Sequence, residues 1–214
     1  MNFLDYLATR WDNLLELAVE HAVVTIVAVL IATVVGVALG IATYDRPRSR
    51  QLVIATTSVF LTIPSLALFG LFINVFGIGT TSVVVALVMY SLLPIVANTV
   101  VGLREVDPAV VESARGMGMS RAQRLVRIEL PLAWPVILTG MRVSTLITLG
   151  ITAIGAYIQG PGLGNDIFAG VSRLSSPNAL NLVLGGTLGV VVLAVLFDLF
   201  YVLLNRLTTS RGIR

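Results

Sequence analysis

Cysteine and lysine are absent from these 214 residues, histidine occurs once, and charged residues make up only 12%. Without cysteine there is neither a disulfide framework nor a thiolate metal site. Without lysine no Gly-x-x-x-x-Gly-Lys-Ser/Thr loop can cradle nucleotide phosphates, so ATP chemistry is not expected on this chain. His21 alone supplies too few ligands for a metal centre and reads as an interfacial residue at the border of an apolar run. Aromatic residues, 7% of the chain, form no cluster. No cofactor is expected. The basic balance, a net charge of +3, is carried wholly by arginine, which reads as codon bias.

What is present is oil. The chain is 57% hydrophobic with a mean hydropathy of +0.96, far from the composition of a soluble domain. An all-α polytopic membrane protein of one domain fits the length. A spanning helix needs roughly 20 apolar residues. Five stretches meet this: Ala22–Thr43, Ala55–Phe76, Ser82–Gly102, Leu132–Ile158 and Val183–Leu204. Three arginines lie in the first intervening loop, none in the second, five in the third, one in the fourth and three after the last span. Eleven of fourteen therefore fall on one side, which the positive-inside rule makes the cytoplasm. The N-terminus is expected outside and the C-terminal tail, 205–214, inside. The arginines cluster between apolar runs and form no continuous stripe, which excludes nucleic acid as a partner and leaves the lipid bilayer.

Residues 1–21 lack the basic start of a signal peptide. Leu4, Leu7, Trp11, Leu14, Leu15 and Ala18 recur at helical spacing with Asp5, Asp12, Glu16 and Glu20 on other faces, so an external amphipathic helix lying on the membrane is expected. Pro64 and Pro94 should kink the second and third spans, and Pro135 falls near the start of the fourth. Arg142 and Asp198 are ionisable residues at matching depth in the fourth and fifth spans, and an unpaired charge there is costly, so an intramembrane ion pair is expected. Asn74, Tyr90, Ser91 and Asn98 are polar residues that could line a pathway, although hydrogen bonding between helices is the commoner use of such residues.

The loop 103–131 departs from this pattern. Asp107-Pro108 is a helix start, with aspartate as N-cap and proline in the first turn. Gly118 suits a left-handed C-cap, and Ser120 with Gln123 forms a capping box for a second helix, which Pro131 is expected to stop. Arg121, Arg124 and Arg127 repeat at spacing three on one cationic face. Lipid head groups would account for the charge. They would not account for a glutamate, a glycine and a Leu-Pro at fixed distances. Glu112, Ser113, Ala114, Gly118, Ile128, Leu130 and Pro131 fall without a gap on the EAA-loop pattern of ABC importer permeases, with Ser113 in place of the first alanine.

The resemblance extends further. TIPSLALFG (62–70), YSLLPIVANT (90–99), GLREVDPAVVESARGMGMS (102–120), ELPLAWPVILTGMR (129–142) and GPGLGNDIF (160–168) resemble permeases of quaternary-amine osmoprotectant importers. Their cargoes are glycine betaine, choline, carnitine or proline betaine. Pro161 and Ala97 depart from the usual residues of that group. The resemblance implies a type I ABC importer permease (MetI-like) fold with about five transmembrane helices, in a bacterial cell membrane. It implies a transmembrane permease domain over 22–204, with the seven motif residues contacting an ATPase. The implied partners are a second permease, identical or paralogous, cytosolic ATP-binding subunits and an extracellular substrate-binding protein. A permease for methionine or another small nutrient is the alternative within the class. A secondary transporter or channel is more remote, since acids for ion coupling and internal repeats are lacking.

Overall fold

The computed structural model describes residues 2–209, all helices and the turns between them. The elements are α1 (Phe3–Thr9), α2 (Trp11–Thr43), α3 (Pro47–Thr62), α4 (Ser65–Phe76), α5 (Thr80–Arg104), α6 (Pro108–Gly116), α7 (Arg121–Arg124), a π-helical turn (Leu125–Glu129), α8 (Leu130–Gly155), a 3-10 turn (Ala156–Ile158), α9 (Gly164–Ser172) and α10 (Ala179–Thr208). Of the last expected segment, Arg211 and Arg214 lie outside the described residues, and Asn205–Thr208 belong to α10.

The N-terminal segment is not one helix lying on a membrane. It breaks at Arg10, and everything from Trp11 onward is continuous with the first span. At 33 residues and about 1.5 Å per residue, α2 is about 50 Å long, well beyond a hydrocarbon core of about 30 Å. Its first turns therefore stand clear of the bilayer. The apolar stripe expected there divides: Leu7, Leu14 and Ala18 pack with Tyr6, Leu163 and Leu182 inside the protein, while Leu4, Trp11 and Leu15 stay exposed. A protein surface, α10 and the loop before α9, takes the place expected for lipid. His21 is likewise fully buried within the protein. Its Nε2 donates to the Leu149 carbonyl at 3.0 Å, and Gly162, at φ 110°, lets the external loop fold against its ring.

The second expected span is broken rather than kinked. Ile63, held extended because it precedes Pro64, turns the chain by 100° between α3 and α4. Pro94, by contrast, is buried inside α5, which runs on through it. The centre of the molecule is the crossing of α5 with α8 and α2. Gly140 makes the α5–α8 contact possible, since a Cβ there would lie 2.6 Å from the Pro94 carbonyl oxygen and 2.8 Å from the Asn98 Cβ. Small residues at such crossings let backbones approach where no hydrophobic drive separates protein from lipid. Above it, Val24 and Ala28 of α2, Phe69 of α4, and Val83, Leu87 and Tyr90 of α5 form the main apolar core. α10 lies outermost, with most of its apolar length exposed.

Pro131 does not stop the second loop helix. Residues from Arg121 to Ile158 form one uninterrupted helical rod of 38 residues. A proline inside an α-helix withholds a donor and presses its ring on the carbonyl four residues back. Here the turn immediately before it is widened to π winding, with the Leu130 N–H bonded to the Leu125 carbonyl, so the register shift absorbs the defect.

Candidate functional site

The loop between α5 and α8 is built from local rules. The Asp107 carboxylate accepts from the Ala109 N–H at 2.8 Å and Pro108 occupies the first turn, fixing the start of α6. The helix ends where the Gly118 N–H bonds to the Arg115 carbonyl and the Met119 N–H to the Ala114 carbonyl, with Gly118 at φ 80°. The Ser120 hydroxyl accepts from the Gln123 N–H, and the Gln123 side chain accepts from the Ser120 N–H, a complete capping box. Because α7 continues into α8, the loop is joined rigidly to a span on one side and through Glu105–Asp107 on the other.

α6 buries only Ala114. Nine residues are too few to hold a helix in water by propensity alone, so α6 depends on its caps and on the burial of Ala114. Glu112 is exposed, and neither Arg115 nor any other described residue forms an ion pair with it. Ser113 is exposed and donates its hydroxyl to the Ala109 carbonyl at 2.7 Å. Val110 and Met117, seven residues apart and so on one face, are also exposed, on the side of α6 away from Glu112. Ile128 and Leu130 are half-buried and Pro131 exposed, so the last three motif residues belong to the base of the loop, where it enters α8.

Sequence reasoning missed what holds that base. Glu129 is 4% exposed, at the end of the π turn. Its Oε2 accepts from the Tyr44 hydroxyl at 3.0 Å, and its Oε1 lies 3.8 Å from the Arg124 Nε. Burial, and then the bond to Glu129, push the Tyr44 phenol above its ordinary pKa. Next to it Arg121 pairs with Asp45 at 2.6 Å in an exposed position, and Asp45 raises the arginine pKa further. The available signal was Glu129 itself, an acid set into an arginine-rich run directly before Leu-Pro.

The pathway candidates are not brought together. Asn74 is exposed on α4 and reaches only the Gly70 carbonyl. The Tyr90 hydroxyl donates to the Ile63 carbonyl at the α3–α4 break. Ser91 donates to Leu87, and its own carbonyl accepts from Ser144 of α8. Asn98 donates to Pro94 at 2.8 Å. Tyr90 and Ser91 thus link α5 to neighbouring elements, while the Asn74 and Asn98 side chains bond within their own helices. Arg142 and Asp198 do meet: the arginine Nε donates to Asp198 Oδ1 at 2.6 Å, joining α8 to α10 within one chain. At the other end, Tyr6 and Arg10 both bond Asp166 of α9, at 3.3 and 3.2 Å, and burial with the Asp166 charge pushes the Tyr6 phenol up to about 12.

The profile of the family described as "Binding-protein-dependent transport system inner membrane component" matches residues 29–210. The chain belongs to that family. Among its relatives is the "Choline transport system permease protein OpuBB" of Bacillus subtilis, 34% identical over 213 residues that cover all of this chain and 96% of the relative. Another is the "Carnitine transport permease protein OpuCB" of Listeria monocytogenes, 37% identical over 202 residues, 94% of this chain and 91% of that one. The fold is that of a permease chain in an inward-facing structure of the MetNI methionine ABC transporter, with a TM-score of 0.80 at 22% identity over 92% of this chain and 96% of that chain. Family membership makes this a multi-pass component of a bacterial cell membrane and implies a partner permease and ATPase subunits.

Proposed function

We propose that this chain is the permease subunit of an ATP-driven importer for quaternary-amine osmoprotectants of the glycine betaine, choline and carnitine type. It forms the translocation path with a second permease and receives motion from a separate ATPase through α6, while an extracellular binding protein delivers cargo. ATP hydrolysis resides on the ATPase, not here. The observation that carries the coupling role is the free Glu112 carboxylate on an exposed, capped helix, joined through Gly118 to a rod that runs on into α8. The cargo class rests on full-length relatives whose names state choline and carnitine transport. The likeness to the methionine transporter, at 22% identity, speaks for the fold alone.

The test is growth. The permease, co-expressed with its ATPase and binding-protein subunits, should restore growth at high osmolarity to a host lacking betaine uptake when glycine betaine, choline or carnitine is supplied. Methionine uptake with no response to any quaternary amine would replace the cargo assignment. Glu112→Ala should leave the permease in the membrane but reduce the ATPase it retains; full retention would remove α6 as the contact.

A further inference from the structure

The motion received at α6 has two exits. One is the rod into α8. The other is a buried tie to the turn between α2 and α3, made by residues 85 positions apart in sequence. Glu129 sits at the end of the π turn with almost no exposure, so its carboxylate depends on protein partners for the hydrogen bonds it loses from water. Tyr44, the C-cap of α2, supplies one through its hydroxyl. Arg124 supplies charge at 3.8 Å, and its Nη1 also donates to the Met119 carbonyl beside Gly118. The Tyr44 carbonyl in turn accepts from Arg50 of α3 at 3.1 Å. A continuous chain of contacts thus runs from the left-handed turn at Gly118 to α3. The floor beneath it is apolar, with Ile41, Tyr44, Leu125 and Leu130 all packed against Leu103, Ala133 and Ile137. Arg121–Asp45 parallels this tie on the surface, where solvent weakens it.

We propose that Glu129 is a positioning residue: through Tyr44 and Arg124 it fastens the base of the coupling loop to the α2–α3 turn, so that displacement of the loop moves α2 and α3 together with α8. The π turn sets Arg124 against the carboxylate. Straight α-helical winding through 125–129 would rotate Arg124 and α7 relative to Glu129 and α8 by the one-residue register shift that the π turn adds, and Pro131 makes straight winding unfavourable. The proline at the end of the motif and the buried acid two residues before it are two parts of one joint.

The inference rests on the reading of the loop as the ATPase contact, and the test separates the two. Because the chain has no cysteine, Met117→Cys on the loop and Arg48→Cys in the first turn of α3 give one pair of spin-label sites per permease, read after dilution with unlabelled permease so that a second copy adds no distance. In lipid nanodiscs a single narrow distance is expected, with and without ATPase and nucleotide. Glu129→Gln and Tyr44→Phe should each broaden it, and their combination should broaden it no further. In vesicles holding the whole transporter, the cargo that supports growth should be carried roughly tenfold less per ATP hydrolysed in either variant, the scale of one hydrogen bond to a charged group. ATPase retention should stay at the wild-type level. A residue that served only folding would lower the amount of assembled complex and leave that ratio alone. Unchanged distance distributions in both variants, or an unchanged ratio, overturn the proposal. Should the Glu112→Ala result remove α6 as the contact, the distance measurement on the permease alone still decides whether Glu129 holds the loop to the turn.

Discussion

Arg142 and Asp198 face each other from α8 and α10, and each sits several turns from the cytoplasmic end of its helix. In a medium without water, either charge alone lacks a counterpart, whereas a neutral pair lacks only a contact. Arg142→Gln or Asp198→Asn should therefore reduce folded permease in membranes more than the two changes together. Quantitative blotting with a detergent-extraction assay checks this, and additive losses would mean that each residue acts alone. Residue-level chemistry was legible in the sequence where partners lie within one turn, Asp107 with Ala109 and Ser120 with Gln123, and for the two charges set deep in spans at matching depth, Arg142 and Asp198. It was not legible for Glu129 and Tyr44, or for His21 and Leu149, which are brought together by helix crossings rather than by any sequence period. A lone acid among arginines reads as surface charge until the crossing that buries it is known.

Two prolines in apolar runs have opposite outcomes at the level of the element. Before Pro64 the chain leaves helical geometry at Ile63 and turns by 100°; before Pro131 it stays helical by widening one turn. Proline's missing donor is readable from sequence, but the choice among kink, break and π winding is set by what the neighbouring helices can pack, so the expected stop at Pro131 failed. The glycine between α6 and α7 is a simpler case. At φ 80° Gly118 is in the left-handed region, yet a Cβ there meets nothing within 4 Å. Any harm from substitution is thus conformational, about 1–2 kcal/mol for an ordinary L-residue and less for asparagine, which tolerates this region. Gly118→Val should leave the permease inserted and assembled but lower cargo-stimulated ATP hydrolysis, and Gly118→Asn should retain most of it. Equal rates from both variants would show that the left-handed turn is not what aims α6.

At the scale of the whole molecule, the count of crossings turns on α3 and α4. Four helices are individually long and apolar enough to span, and the bent pair is either a fifth crossing or a re-entrant hairpin. The arginines decide. Arg46, Arg48 and Arg50 follow α2, and Arg104 ends α5 with Arg115 and Arg121 beyond it, so both helices end on the cytoplasmic side. A chain that leaves α2 inside and enters α5 from outside must cross between them. The legs suffice: 16 and 12 residues, about 24 and about 18 Å long at a 100° bend, separate their ends by about 27 Å, close to the thickness of a hydrocarbon core. The Gly77–Gly79 turn is then external, with Ile78 exposed at its tip. Single cysteines in this cysteine-free chain test the arrangement directly. Ile78→Cys and Trp11→Cys should react with a membrane-impermeant maleimide in intact cells, and Met117→Cys only after permeabilisation. A re-entrant α3–α4 pair would place Ile78 inside, reverse α5 and put the arginine-rich loop 103–131 outside, so labelling of Met117→Cys in intact cells would overturn both the topology and the coupling role assigned to α6.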